Sequence, residues 1–287
     1  MSVEETTKSL SVPANSDFFE QKQIKIKPFS KSALIIRITI TSLLLLTVYS
    51  FFSFDYKDVS FISGIMSTLE NFKVMFAEAH FKHFTFTEAL FQVVITLSLA
   101  ALTTLFGAII ALFFGLFAAE NLSSRKISNV IKTCVAFIRA VPTVLWVLIF
   151  AVAAGLGSVA AVIGMTFHSV GYLIKAYSES FEELDEGVIE ALRGSGASWW
   201  QIIFQAVIPS TMSFLVSWTF LRFEINFGVA VAMGAAAGAG GIGFDMFMAS
   251  AFYFDLREVG TITFFILILA ILLEMTATRI KSRLQLR

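Results

Sequence analysis

Apolar runs of about twenty residues recur along the sequence and constrain it more than any other feature. Hydrophobic residues make up 57% of the 287 residues, phenylalanine alone accounts for 32 of them, and the mean hydropathy is +0.81. A bilayer core is about 30 Å thick, and an apolar helix of about 20 residues crosses it. The sequence therefore predicts an all-α, polytopic membrane protein with about six transmembrane helices.

The predicted spans divide the chain into four parts. A polar tail (1–32) precedes a first transmembrane helix (33–54), a mixed aromatic segment (55–84) forms an extracytoplasmic loop, and a core with the remaining spans follows (85–281). The core spans are predicted at 85–119, 139–154, 159–176, 211–233 and, after a Gly/Ala-rich loop at 234–258, in a last helix that ends near 278.

The second predicted span carries two local signals. Thr85 and Glu88 have the spacing of a capping box, which begins a helix. Four small residues at four-residue spacing indicate a face for close helix packing: Gly107, Ala111, Gly115 and Ala119. At 1.5 Å per residue this helix is about 50 Å long, so one end should project from the bilayer or the helix should tilt.

Lys and Arg residues predict the orientation of the spans. The N-terminal tail, the link at 120–138 and the residues after Thr278 are rich in Lys and Arg. The turn at 155–158 has neither, and the loop at 234–258 has only Arg257. Because cytoplasmic segments carry the excess of Lys and Arg, both termini are predicted to be cytoplasmic.

Composition also excludes several classes of function. The formal net charge is zero, so the sequence predicts no nucleic-acid partner. Cys134 is the only cysteine, and the three histidines are scattered, so no zinc site and no catalytic residues are predicted. The chain contains no G-x-x-x-x-G-K-[ST] motif, so it does not bind ATP by a P-loop of its own, and no cofactor-binding residue is predicted.

Residues 190–209 form a polar-to-amphipathic stretch between two apolar runs. The pattern predicts a short helix at 186–193 that Gly194 and Gly196 interrupt, because glycine tolerates tight turns and positive φ. Ser198 and Gln201 predict a capping box at the start of a second helix. That helix has an apolar stripe, which comprises Trp199, Ile202, Ile203, Ala206 and Val207. Pro209 ends this helix or starts the next.

This stretch resembles the cytoplasmic coupling loop of ABC-importer permeases, and we call residues 190–209 the coupling stretch. The family pattern is Glu-Ala-Ala, three residues, Gly, nine residues, Ile, one residue and Leu-Pro. Glu190, Ala191, Gly196 and Pro209 match it without a gap. The departures are apolar, namely Leu192, Ala206 and Ile208. The resemblance implies that these matching residues, with Trp199, couple the chain to an ATPase; the alternative is an interfacial amphipathic hairpin with no partner.

A second motif, the run Gly-Ala-Gly-Gly-Ile-Gly at 238–243, satisfies G-x-G-x-x-G. A dinucleotide site would require a strand before it and a βαβ unit around it. Here the motif follows a membrane span, so we interpret it as a close-packed loop at the outer face. A similar run after the penultimate helix occurs in permeases of methionine and phosphonate importers.

Three further segments look like the permease of phosphonate importers: residues 119–122, residues 167–171, and Arg222-Phe223-Glu224 with Asn226. Together with the coupling stretch, the resemblance covers about residues 85–281. It implies a permease in the bacterial cell membrane for phosphonate or a related phosphorus oxyanion. The implied partners are a second copy of the chain, two cytoplasmic ATPase subunits that hold ATP and Mg²⁺, and an extracytoplasmic substrate-binding protein. Alternatives are the same machine with another cargo, such as an amino acid, and an autonomous membrane channel or enzyme.

Polar and ionisable residues inside the spans are candidates for the translocation pathway, because burying a charge in lipid is unfavourable. They are Arg139, His168, Arg222, Glu224 and Asn226. Arg222 and Asn226 share a helix face, whereas Glu224 points elsewhere. The alternative is that these residues form interhelical contacts that hold the packing together.

Overall fold

The computed structural model describes residues 30–53 and 60–285, and describes side chains up to residue 282. The predicted tail up to residue 29 lies outside the described residues. The chain divides into two compact units, residues 1–61 and 62–287. Within the first unit, α1 (Lys31–Ser53) is an apolar helix of 23 residues. Its length is about 35 Å, enough to cross a bilayer.

The described residues of the second unit are helical apart from short connections. The helices are α2 (Phe61–Ala77), α3 (Phe86–Ala118), α4 (Arg125–Ala140), α5 (Thr143–Ala154), α6 (Ser158–Glu182), α7 (Glu186–Gly194), α8 (Trp199–Ile202), α9 (Ile208–Ala237), α10 (Ile242–Phe247) and α11 (Leu256–Gln285). Two π-helical segments follow α8 and α10, at Ile203–Val207 and Met248–Phe252. Among the described residues of both units, five helices are long and apolar enough to cross a membrane, namely α1, α3, α6, the run that contains α9, and α11. The number is six if the bent pair of α4 and α5 counts as one span. The predicted all-α polytopic architecture is confirmed.

Helices α3, α6 and α9 pack against one another at the centre of the second unit. The small-residue face of α3 makes the close approach to α6. A Cβ atom built on Gly107 would lie 3.0 Å from the Cβ of Ser169, and one built on Gly115 would lie 3.2 Å from the Cβ of Tyr177. The predicted capping box at Thr85 and Glu88 begins α3.

The third predicted span, at 139–154, is interrupted at Pro142, a residue type that breaks helices. Helix α4 ends at Ala140, α5 begins at Thr143, and the two helices are bent by 90°. Pro142 occupies the break, where it supplies no N–H and disfavours a helical residue before it. Helix α5 alone has 12 residues, which is about 18 Å and too short to cross the membrane. The third span is therefore a broken one, formed by α4 and α5 together.

The fifth predicted span also starts earlier than expected. Helix α8, the π-helical segment at 203–207 and α9 form one continuous helical run of 39 residues, Trp199–Ala237. Inside the π-helical segment, the N–H of Ile208 donates to the carbonyl oxygen of Ile203. The widened turn directly precedes Pro209, whose ring clashes with the usual position of the carbonyl four residues back. Pro209 therefore lies in the first turn of α9, in agreement with the expectation that it starts the next helix, and α9 continues the helical run without a break.

The Gly/Ala-rich segment is not an open loop from 234 to 258. Helix α9 continues to Ala237, a turn at 238–241 follows, and α10 folds back against α9. The packing is close, since a Cβ atom built on Gly243 would lie 1.8 Å from the carbonyl oxygen of Val231. This context agrees with the exclusion of a dinucleotide site.

The predicted extracytoplasmic loop also contains a helix, α2. Helix α2 packs on α11: a Cβ atom on Gly260 would lie 1.8 Å from the carbonyl oxygen of Met75, and the rings of Phe76 and Phe264 meet edge to face at 5.6 Å.

We predict that Gly243→Ala destabilises the protein because the added methyl group would overlap the backbone of Val231. Overpacking of this kind costs about 1–3 kcal/mol, which should lower the midpoint of thermal unfolding in detergent by at least about 3 °C. The control is Gly228→Ala in α9, where nothing lies within 4 Å of the added atom. Equal midpoints for the two variants would contradict the close packing of α10 on α9.

Candidate functional site

Within the coupling stretch, α7 ends in a C-terminal cap that is centred on Gly196. The N–H of Ala197 donates to the carbonyl oxygen of Leu192, and the N–H of Gly196 donates to that of Arg193. This is the Schellman arrangement, which requires a left-handed residue after the helix, and Gly196 has φ +84°. A Cβ atom there would meet no neighbour within 4 Å. Glycine is therefore needed for its backbone conformation and not for close packing.

The apolar stripe of the second short helix faces the interior of this chain. Ser198 and Gln201 form the predicted capping box. Ile203 and Val207 are fully buried. The indole N–H of Trp199 donates to the carbonyl oxygen of Leu122 at 2.8 Å. Its ring stacks on Phe117 with 5.5 Å between centroids. The predicted coupling residue Trp199 thus attaches the stretch to its own protein.

The opposite face of this stretch is exposed and aromatic. Trp200 and Phe204 are 50% and 62% exposed, and their rings stack at 6.0 Å. Glu190 and Ala191 on α7 are also exposed. In the described part of the chain, Glu190 forms no ion pair. Sequence analysis did not single out Trp200 and Phe204, although their spacing of four residues, off the apolar stripe, was a usable signal.

Polar contacts attach the coupling stretch to the link between α3 and α4. Arg193 donates to the carbonyl oxygen of Asn121 at 2.8 Å. Lys132 of α4 lies 2.9 Å from both Glu120 and Glu182. The hydrogen bond from Lys132, together with its charge, lowers the pKa of Glu120. This clamp joins α4, the end of α6 and the link that carries Leu122.

A second group of candidate residues meets deep between the three central helices. Arg222 and Asn226 of α9 are 3% and 0% exposed. The Nε of Arg222 donates to Oγ of Ser169 in α6 at 3.1 Å. The side-chain amide of Asn226 donates to Thr104 in α3 at 2.9 Å and lies 3.0 Å from Ser169. We call Thr104, Ser169, Arg222 and Asn226 the buried polar cluster.

Arg222 carries a positive charge that no carboxylate balances among the described residues. Its guanidinium carbon lies 5.1 Å from the ring centroid of Tyr172, a cation–π contact. Its Nη2 is buried and has no hydrogen-bond partner within the described chain. Burying a cation without a counter-ion is unfavourable. The cluster therefore has spare capacity to bind an anion.

Glu224 lies away from this cluster, as its helix position predicts. It lines a cavity of about 980 Å³ between α6, α9 and α11. The other ionisable residues in that lining are Glu179, Glu183, Glu274 and Lys281. Four serines contribute as well: Ser180, Ser210, Ser213 and Ser217. The cavity is therefore acidic and rich in hydroxyl groups.

The remaining two candidates lie near the break between α4 and α5. Arg139 is exposed in the last turn of α4, and a Cβ atom on Gly171 would lie 3.4 Å from its Cγ. His168 is half-buried in α6, and its Nδ1 has no hydrogen-bond partner among the described residues. Neither residue contributes a hydrogen bond to the buried polar cluster. Thr104 and Ser169 do, and both are short hydroxyl residues that resemble ordinary packing residues in the sequence.

Two curated relatives are similar to this chain over its central and C-terminal parts. It is 31% identical over 191 residues to the phosphate-import permease protein PhnE of Mycolicibacterium smegmatis, which covers 66% of this chain and 35% of the relative. It is 31% identical over 180 residues to the phosphite transport system permease protein PtxC of Stutzerimonas stutzeri, covering 62% and 65%. The chain thus spans less than two thirds of the length of either relative.

A solved structure shares the fold. The permease chain of the MetNI methionine ABC transporter, in an inward-facing conformation, superimposes with a TM-score of 0.60 at 23% identity, covering 68% of this chain and 95% of that chain. The model of the family "binding-protein-dependent transport system inner membrane component" matches residues 111–287, more than half of the sequence and including the coupling stretch. The resemblance to ABC-importer permeases is therefore confirmed, and the chain belongs to that family.

Proposed function

We propose that this chain is the transmembrane permease subunit of an ATP-driven importer for a phosphorus oxyanion such as phosphonate, phosphite or phosphate. The observation that carries the proposal is the continuous helical run Trp199–Ala237. It bears the exposed aromatic pair Trp200 and Phe204 near one end and the buried cation Arg222 further along. Arg222 lies 18 positions after Phe204, which corresponds to about 27 Å of helix.

The proposed machine contains a second copy of the chain, two ATPase subunits that hold ATP and Mg²⁺, and an extracytoplasmic binding protein. The exposed face of α7 and α8 would dock on an ATPase subunit. Movement of the ATPase would then pass through one helix to the region of Arg222 and Asn226. Trp199, Gly196 and the contacts to Leu122 and Asn121 keep the docking surface attached to the membrane core.

The cargo proposal is supported by charge and by the relatives. An oxyanion crosses an apolar core only if fixed polar groups replace its water. Arg222 offers a guanidinium with no carboxylate partner among the described residues, and its Nη2 is a buried donor with no hydrogen-bond acceptor there. Weak, multiple contacts allow release as well as entry. The relatives named above are called phosphate-import and phosphite permeases.

A second candidate keeps the machine and changes the cargo to a solute with an ammonium group, such as an amino acid. The acidic cavity favours this candidate, because Glu179, Glu183, Glu224 and Glu274 outnumber its single Lys281. Ligand identification on the substrate-binding protein separates the two candidates.

We predict that both termini and the coupling stretch lie in the cytoplasm and that the 155–158 turn lies outside. Cys134 is the single cysteine, so Cys134→Ser provides a cysteine-free background. In that background Leu156→Cys, at a side chain that is 72% exposed, should react with a membrane-impermeant maleimide in intact cells. Ser195→Cys should react only after permeabilisation. Labelling of Ser195→Cys in intact cells would contradict the coupling assignment.

For docking, we predict that Trp200→Ala combined with Phe204→Ala weakens binding of the ATPase subunit. Truncating exposed aromatic anchors typically costs at least about 2 kcal/mol, or about thirtyfold in affinity. Thermal stability of the isolated permease should change little. Trp199→Ala should instead lower stability, because it removes a half-buried stacking contact with Phe117 and a hydrogen bond to Leu122.

The matched control for docking is Phe254→Ala, an aromatic residue that is 81% exposed next to the N-terminus of α11, away from the coupling stretch. Binding is measured by titrating purified ATPase subunit onto the permease in nanodiscs. Equal affinity of the double variant and the Phe254→Ala variant would show that the aromatic pair does not dock.

For the pathway, we predict that Arg222→Gln slows oxyanion uptake into proteoliposomes by at least about tenfold, the effect of losing one charged hydrogen bond. Arg222→Lys keeps the charge and should retain more uptake than Arg222→Gln. Assembly with the ATPase and basal ATP hydrolysis should persist in both. Failure of both variants to assemble would identify Arg222 as a packing residue. Normal uptake by Arg222→Gln would show that the anion passes elsewhere.

A further inference from the structure

Three metal-ligating side chains meet at the end of the molecule opposite the coupling stretch. His83 lies in the turn between α2 and α3, Asp255 directly precedes α11, and Glu258 lies in its first turn. One potential ligand atom from each lies within 4.8 Å of the others. This turn precedes the start of α3, whereas Leu122, which contacts the coupling stretch, follows its end. The length of α3, about 50 Å, therefore separates the two sites.

In each of the carboxylates of Asp255 and Glu258, one oxygen accepts hydrogen bonds from the backbone, and the other oxygen is left as a potential metal ligand. Oε1 of Glu258 accepts hydrogen bonds from the backbone N–H groups of Lys82 and His83, at 3.0 and 2.6 Å. Oδ1 of Asp255 accepts from the N–H groups of Arg257 and Glu258, at 3.1 and 3.3 Å. Oε2 of Glu258 and Oδ2 of Asp255 make none of these backbone contacts. The backbone thus orients both acids toward the same space.

The imidazole is oriented as well. Nδ1 of His83 lies 2.7 Å from Oε2 of Glu258, and its ring stacks on Tyr253 with 3.9 Å between centroids. Nε2 of His80 lies 3.9 Å from Oδ2 of Asp255. Lys82, with its Nζ 3.6 Å from the same oxygen, is 59% exposed and free to turn into solvent. Buried Glu258 and nearly buried Asp255 leave access from the side of the histidines.

We propose that His83, Asp255 and Glu258 bind a divalent transition-metal ion, with Zn²⁺ as the best match and His80 in reach as a fourth ligand. Zinc binds imidazole nitrogen and carboxylate oxygen at about 2.0–2.2 Å, so ligand atoms this close need only small side-chain rotations. Imidazole selects a transition metal over Mg²⁺ or Ca²⁺, which prefer oxygen ligands. Backbone hydrogen bonds to the ligating carboxylates are the usual outer-shell support.

The ion would join the turn before α3 to the start of α11. Among the contacts that already connect these segments are the Glu258 hydrogen bonds, the ion pair of Glu78 with Arg257 at 2.8 Å and the hydrogen bond from Thr261 to the carbonyl oxygen of His80 at 2.8 Å. The sequence alone predicts no metal site here, because His83 is about 170 positions away from Asp255 and Glu258. Folding alone brings them together.

The test uses the full chain, purified in detergent, treated with a chelator and titrated with Zn²⁺ by calorimetry, with Cys134→Ser as the background to remove the thiol. We expect one Zn²⁺ per chain and no comparable heat with Mg²⁺. Asp255→Asn keeps an oxygen that accepts the backbone hydrogen bonds and removes the ligand charge. It and His83→Gln should each weaken Zn²⁺ binding at least about tenfold, since even the loss of an outer-shell partner costs 10–100-fold.

The matched control is Glu78→Gln, which removes a carboxylate on the same face outside the cluster and should bind Zn²⁺ like the parent protein. Zn²⁺ should also raise the thermal midpoint of the parent but not of Asp255→Asn, because an ion that binds only the folded state stabilises it. Sub-stoichiometric binding by the parent, or affinity unchanged in both ligand variants, would overturn the proposal. If one variant fails to fold, the other decides. No ATPase or cargo is present, so the result is independent of the proposed transport function.

Discussion

The close approach of α3, α6 and α9 is the contact on which the rest of the second unit depends. Lipid supplies little hydrophobic force between helices, so association relies on close packing and interhelical hydrogen bonds. Both are present here: Gly107 and Gly115 let α3 approach the Cβ atoms of α6, and Thr104, Ser169 and Asn226 form hydrogen bonds across all three helices. A bulkier residue at Gly107 would separate Ser169 from its partners in the same step. The hydrogen bonds across this interface therefore depend on the close helix packing that the glycines allow.

The same interface determines the charge and the hydrogen bonding of the buried polar cluster. Ser169 accepts hydrogen bonds from Arg222 and from the side-chain amide of Asn226, and no carboxylate of the described residues pairs with the guanidinium. The acidic residues lie in the separate cavity lined by Glu224 and Glu274. Positive charge in the helix core and negative charge in the cavity are thus separated by less than one turn of α9. An anion and an ammonium group would meet different surfaces along the same helix.

The coupling stretch and the fifth span are joined in one helical run because a π-helical segment precedes Pro209. A proline inside a helix removes one hydrogen bond and introduces a clash, and the π-helical segment before Pro209 accommodates both without ending the helix. At Pro142, by contrast, the chain turns by 90°. The difference lies in the packing partners. Ile203 and Val207 are fully buried within the continuous run, whereas the segment after Pro142 starts a new helix that packs against α6, where Val147 makes a close contact with Gly164. Tertiary packing decides what each proline does.

The sequence by itself determined the features that depend on near neighbours and on the solvent. Apolar runs predicted the spans, Thr85 with Glu88 and Ser198 with Gln201 predicted helix starts, and Gly196 predicted the turn between the two short helices. Each is a local interaction of a few residues, or a transfer of a whole segment into lipid. Only the tertiary structure decided that Trp199 faces inward while Trp200 and Phe204 face outward, that Ser169 and Thr104 join Arg222 and Asn226, and that His83 meets Asp255 and Glu258. These arrangements join residues that are distant along the chain, and side-chain chemistry alone does not show which helix faces will meet.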